Sequence, residues 1–132
     1  MTDLAPVLLV DDEASIRDLL QLSLEEGGYA VTIAESGAAA MAILNQTHAQ
    51  CLALITDVDM GPGGPKGWEV AKHARELNPD MPVIYMTGAS GHEWEVNGVP
   101  NSMLLVKPFA PAQVVTAVSQ LLNAAGSSSR QP

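Results

Sequence analysis

Apolar residues follow two patterns along this chain, and the patterns alternate. Largely unbroken apolar runs occupy Leu4 to Val10, Tyr29 to Ala34, Cys51 to Thr56, Pro82 to Met86 and Met103 to Val106. Runs of this kind, without a polar face, predict strands covered on both sides. Between them apolar side chains recur every three or four residues, the repeat of a helix with one buried stripe. Glu13 to Glu26 carries Ile16, Leu19, Leu20 and Leu24; the segment after Ser36 carries Ala40, Ile43 and Leu44. Trp68 to Asn78 carries Val70, Ala71, Ala74 and Leu77, and the segment opened by Pro111 carries Val114, Val115, Val118, Leu121 and Leu122. Strand and helix in alternation predict an α/β fold: a five-stranded parallel sheet with helices on both faces and right-handed crossovers.

Breakers and caps set the boundaries. Gly27 and Gly28 supply a left-handed stop to the first helix, Ser36 can cap the second, and Pro79 ends the third. Met60 to Gly67 holds Gly61, Pro62, Gly63, Gly64, Pro65 and Gly67, so a long irregular loop is expected there. From Gly88 to Pro100 no apolar stripe emerges, and a fourth helix is expected to be short or irregular. The segment 124–132 is small and polar with three consecutive serines. It has too little apolar surface to order itself, which predicts one domain over residues 1–123 and a disordered tail over 124–132. With no further domain after Leu122, the expectation is either a stand-alone protein or a fragment cut from a longer one.

The apolar runs stop at polar residues: Asp11 and Asp12 after the first, Asp57 after the third, Thr87 after the fourth, Lys107 after the fifth. In an open parallel sheet ligands bind beyond the carboxyl ends of the strands, which makes these residues the candidate site. Three converging carboxylates repel and raise a pKa unless a cation joins them. Oxygen-only ligands favour Mg²⁺, with Mn²⁺ as a substitute, and no His and Cys cluster points to zinc. A carboxylate beside such a metal, with Lys107 and the Thr87 hydroxyl opposite, is equipped to take a phosphoryl group as an acyl phosphate.

Composition narrows the partners. The 132 residues carry 15 Asp and Glu against 6 Lys and Arg, a net charge of −9, which disfavours direct nucleic-acid binding. No apolar stretch approaches the ~20 residues of a membrane span and the N-terminus lacks a basic, cleavable leader, so a cytoplasmic protein is expected. Cys51 reads as a buried structural thiol, His48, His73 and His92 as surface residues, and Trp68 as a packing residue. Trp94, in a polar stretch, reads either as packing or as an exposed anchor for a partner.

Val10-Asp11-Asp12-Glu13, Thr56-Asp57, Met86-Thr87-Gly88 and Val106-Lys107-Pro108-Phe109, in this order, resemble the receiver domain of two-component response regulators, with its flavodoxin-like, doubly wound fold. The resemblance covers Leu4 to Leu122. It implies a signalling switch rather than a conventional enzyme, in which Asp57 accepts phosphate from a sensor histidine kinase or a histidine phosphotransfer protein and an unknown downstream protein reads the result. It further implies that Asp12, Asp57 and the backbone carbonyl of Asp59 hold Mg²⁺, that Asp11 supports the metal's waters, that Lys107 and Thr87 contact the phosphoryl group, and that the Lys107-Pro108 peptide is cis. The family's hydrolytic water lies near the positions of Asp59 and Ala89.

Three departures stand out. Leu104 occupies the usual aromatic switch position, the loop after Asp57 is longer than the common Met-Pro-x-Met-Asp-Gly, and the segment after Thr87 lacks a regular helical pattern. Rival readings are a haloacid-dehalogenase-like phosphatase using Asp57-Val58-Asp59, a flavin binder, and a receiver-like scaffold that is not phosphorylated. The phosphatase pair belongs after a first strand, here it follows the third, and Asp11-Asp12-Glu13 replaces the flavin phosphate loop.

Overall fold

A computed structural model describes residues 5–88 and 93–130 of the chain. The elements are β1 (Val7–Val10), α1 (Ala14–Glu26), β2 (Val31–Ala34), α2 (Gly37–Thr47), a 3₁₀ turn (His48–Gln50), β3 (Ala53–Asp57), α3 (Gly67–Leu77), β4 (Val83–Thr87), α4 (Trp94–Asn97), β5 (Ser102–Val106) and α5 (Pro111–Arg130). The strands form one parallel sheet in the order β2-β1-β3-β4-β5. The expected doubly wound architecture is therefore present. Strand order reverses between β1 and β3, so their carboxyl ends flank a crevice that no connection crosses.

Alternate residues of each strand enter different cores, because a strand projects successive side chains to opposite faces. Val7 and Leu9 join Ala53, Ile55, Ile84 and Met86 under α1 and α5, where Leu20, Leu24, Val114, Ala117 and Val118 close the layer. Leu8 and Val10 join Leu54, Val83 and Tyr85 under α2 and α3, against Ala40, Leu44, Val70, Ala71 and Ala74. Two cores explain why the central strands carry no polar face. Trp68 is the packing residue expected, buried with its ring centroid 4.6 Å from that of Tyr85.

Local chemistry fixes the boundaries. The Ser36 hydroxyl accepts from Ala39 N–H at 3.1 Å and starts α2. Gly28, at φ 96°, turns the chain out of α1, and Tyr29 N–H reaches back to the Leu24 carbonyl at 3.0 Å. Arg75 on α3 staples the β4 and β5 approaches, donating to the carbonyls of Met81, Pro100 and Asn101. His73 bridges α3 to α2 through Asn45 at 2.6 Å.

Some expectations need revision. Leu19 is 49% exposed, not part of the buried stripe: adjacent positions on a helix lie about 100° apart, and Leu20 with Leu24 faces the sheet instead. Trp94 is not an exposed anchor. Its ring packs against the core beneath α2 and α3, covers Gly98, and donates from Nε1 to Ser102 Oγ at 3.0 Å. Helix α4 has four residues, as short as expected. Helix α5 runs to Arg130, into the segment expected to be disordered; extending a helix already nucleated adds one hydrogen bond per residue fixed. Leu4, Ala89 and His92 lie outside the described residues.

Candidate phosphoacceptor and metal site

Each site residue stands where an element ends. Asp11 follows β1 and is fully buried. It does not cap α1, whose N-cap is Glu13; its Oδ1 instead accepts from Glu13 N–H at 2.9 Å, an Asx-type turn that aims the carboxylate over the sheet end. Arg17, one turn into α1, donates from Nη1 to the Asp11 carbonyl at 2.9 Å and fixes the same turn from below. Asp57 is the last residue of β3 and 4% exposed. Its neighbours hold it on both sides: Thr56 Oγ1 donates to the Asp57 carbonyl at 2.9 Å, and Val58 N–H donates to the Met86 carbonyl at 3.0 Å.

Asp11, Asp12 and Asp57 each offer a carboxylate oxygen within 4.8 Å of the others, so the first and third strand ends do converge. Lys107 comes from the far side of the sheet end. Its backbone N–H donates to the Thr87 carbonyl at 2.8 Å, the Lys107-Pro108 peptide is cis as expected, and Nζ reaches Asp57 Oδ2 at 3.4 Å and Asp11 Oδ2 at 3.9 Å. Thr87 ends β4, is buried, and pairs in register with Val106. Burial, followed by the charge of Asp11, pushes the Asp57 carboxyl up to about 6 despite Lys107. Burial also raises Asp11 above the ordinary carboxylate range, against the Glu13 N–H and Lys107.

The residues fit a divalent cation. Asp11 Oδ2 is buried and accepts no hydrogen bond, and one lysine faces three carboxylates. A hard cation taking oxygen ligands satisfies both conditions. The Asp59 carboxylate does not join the trio. It pairs with Lys66 Nζ at 3.7 Å. The loop 60–66 walls this side of the site. Its Gly61 lies beside Asp12, its Pro65 carbonyl abuts Gly37 at the start of α2, and Gly67 N–H closes it on the Val58 carbonyl at 2.9 Å. Leu104 is half-buried against the α2–α3 core rather than at the site.

Two residues with a part here escape a reading of strand ends. Arg17 was signalled only by its place one turn after Asp11-Asp12-Glu13. Lys66 was signalled by a cation where the common family loop has an acid.

Residues 7–119 match the family described as the response regulator receiver domain. The chain is 43% identical to a response regulator receiver protein from Sinorhizobium medicae WSM419, whose crystal structure superposes with a TM-score of 0.87 over 92% of this chain and 97% of that one. It is 31% identical to the response regulator receiver protein CpdR of Brucella abortus, covering 90% of this chain and 98% of that protein. It is also 35% identical, over 97% of its length, to the transcriptional regulatory protein ResD of Bacillus subtilis, of which it spans 52%. The chain thus spans about half the length of some curated relatives it matches. Fold, strand-end residues and similarity agree: the chain belongs to the response regulator receiver domain family of two-component systems.

Proposed function

We propose that the chain is a phosphorylation-dependent switch in a two-component or phosphorelay system, with Asp57 as the phosphoacceptor. The observation that carries this is the approach of Lys107 Nζ to 3.4 Å from Asp57 Oδ2, beside two further carboxylates at the strand-order reversal. An Asp57 oxygen attacks phosphorus of a phosphohistidine donor, a P–O bond forms as the P–N bond breaks, and the imidazole nitrogen takes up a proton. Lys107 neutralises charge on the transferring group, and the Thr87 hydroxyl donates a hydrogen bond to one of its oxygens. Asp12, Asp57 and the Asp59 carbonyl would hold Mg²⁺ or Mn²⁺, with Asp11 beside them supporting the metal's waters, and the metal when bound supplies further neutralisation of the phosphoryl oxygens. Water later attacks the same phosphorus, and Asp57 leaves as carboxylate.

The phosphorylated site alters partner binding, with a sensor histidine kinase or histidine phosphotransfer protein upstream and a protein target downstream, in the cytoplasm. The receiver unit is residues 1–123. Among the described residues no helix is long and apolar enough to cross a membrane. Incubation with acetyl phosphate and Mg²⁺, read by intact mass, tests the proposal. One phosphoryl adduct is expected, absent with EDTA and from Asp57→Asn. No adduct under any donor would favour the scaffold reading.

A further inference from the structure

Arg17 is an expensive residue where it stands. Its side chain is only 14% exposed, yet a guanidinium carries five N–H donors and a charge that burial penalises. Among the described contacts it makes one hydrogen bond, from Nη1 to the Asp11 carbonyl at 2.9 Å, and one ion pair, from Nη2 to Glu35 Oε1 at 3.9 Å. The Glu35 side chain is 79% exposed, and an ion pair to so solvated a carboxylate contributes little. Helix chemistry gives no reason for the residue either. Arg17 is the fourth residue of α1, in the first turn, where the dipole favours acids over bases. What the side chain secures is the Asp11 carbonyl.

That carbonyl belongs to the peptide joining Asp11 to Asp12, two of the three acids whose carboxylate oxygens lie within 4.8 Å of one another. A peptide unit is planar, so holding its oxygen also sets the Asp12 nitrogen and Cα. Asp11 is tied at two further atoms: its N–H donates to the Ala34 carbonyl at 3.2 Å, and its Oδ1 accepts from Glu13 N–H at 2.9 Å. Both of those partners are backbone groups, whereas Arg17 is a side chain. The atom left over is Oδ2, buried, accepting no hydrogen bond and 3.9 Å from Lys107 Nζ. Asp12 is exposed, so its carboxylate is aimed chiefly by the backbone that carries it.

We propose that Arg17 is a positioning residue for the cation site: by fixing the Asp11–Asp12 peptide it holds both carboxylates ready for a divalent metal and so raises metal affinity. This rests on the reading of Asp11, Asp12 and Asp57 as the place of that metal. Mg²⁺ demands near-ideal octahedral geometry, which makes its binding sensitive to a loosened ligand. The charge of Arg17, taken alone, works the other way, because one cation repels another. Removing Arg17 therefore weakens the metal if its role is to position and tightens it if its role is electrostatic.

The test measures Mg²⁺ and Mn²⁺ affinity by isothermal titration calorimetry for the wild type, Arg17→Met, Arg17→Gln and Arg75→Met, with the melting temperature of each metal-free protein alongside. Arg75→Met is the control for lost stability. It removes a guanidinium that likewise donates to backbone carbonyls, those of Met81, Pro100 and Asn101, but at the amino ends of β4 and β5, away from the site. Both Arg17 variants are expected to bind metal about tenfold more weakly, the lower end of what losing a partner behind a metal ligand costs. Arg75→Met should melt lower with its metal affinity unmoved. With acetyl phosphate, the rate deficit of the Arg17 variants should be largest at limiting Mg²⁺ and shrink as Mg²⁺ saturates. Unchanged or tighter metal binding in whichever Arg17 variant folds would overturn the proposal, as would an equal loss of affinity in Arg75→Met, the mark of a merely structural role. A wild type that binds neither metal would instead overturn the reading of the cation site itself.

Discussion

Replacing Asp57 with asparagine should stabilise the metal-free protein, although it removes an ion-pair partner of Lys107. The native Asp57 carboxyl holds its proton up to about pH 6, against 3.8 for the unfolded chain, because burial and Asp11 oppose its charge. Between those values the native state binds more protons than the unfolded one, so stability falls as pH rises through the window and levels off above it. A shift of this size corresponds to an upper bound of about 3 kcal/mol by neutral pH, at roughly 1.4 kcal/mol per unit. Asparagine carries no charge to desolvate and escapes the penalty. In EDTA at pH 7, Asp57→Asn should melt higher than the wild type by roughly 5–10 °C. The gap should close as pH falls towards 4, since both side chains are then neutral. Asp11 titrates in both proteins with a slope of the same sign, and because its charge repels that of Asp57 the difference between the two melts reports the coupled pair. Millimolar Mg²⁺ should raise the wild type far more than the variant. The assay is thermal denaturation by circular dichroism from pH 4 to 7.5. A variant less stable than the wild type at pH 7 in EDTA, or a gap that ignores pH, would refute the reasoning.

Three other changes probe the frame around the site. Lys107→Met leaves Asp57 and Asp11 without the cation at 3.4 and 3.9 Å, so adduct formation should fall at least tenfold while the fold, by circular dichroism, persists. Tyr85→Phe removes the hydroxyl that accepts from buried Val99 N–H at 3.0 Å, and urea denaturation should show a loss of about 1–3 kcal/mol. Gly67→Ala would place a methyl on the Asp57 carbonyl oxygen and close to Val58 Cα; a loss of roughly 1–3 kcal/mol in urea, with slower adduct formation, is expected because both neighbours are backbone.

The strand ends were legible because burial on both faces leaves no polar residue inside β1, β3 or β4 without a reason, so Asp57 and Thr87 stood out. Convergence followed from topology alone, since β1 and β3 must be neighbours for their aspartates to meet. Other features depend on contacts that periodicity does not encode. Leu19 and Leu20 are equally apolar, and only the packed sheet selects Leu20. Trp94 sits among polar residues, yet Gly98 and Ser102 give its ring a floor and a hydrogen-bond acceptor from beyond its own helix. Lys66 looked like part of a breaker-rich loop because its ion-pair partner is Asp59, seven residues back, reached only once the loop folds onto α2.

The most direct measurement locates the phosphoryl group. After acetyl phosphate and Mg²⁺, reduction with borohydride converts an acyl phosphate to an alcohol, and peptide mapping by mass spectrometry finds the position. The account predicts conversion of the Asp57 side chain to homoserine, dependent on donor and metal, with Asp11, Asp12 and Asp59 unchanged. Reduction at any of those three, or a phosphorylated protein in which Asp57 stays intact, would contradict it.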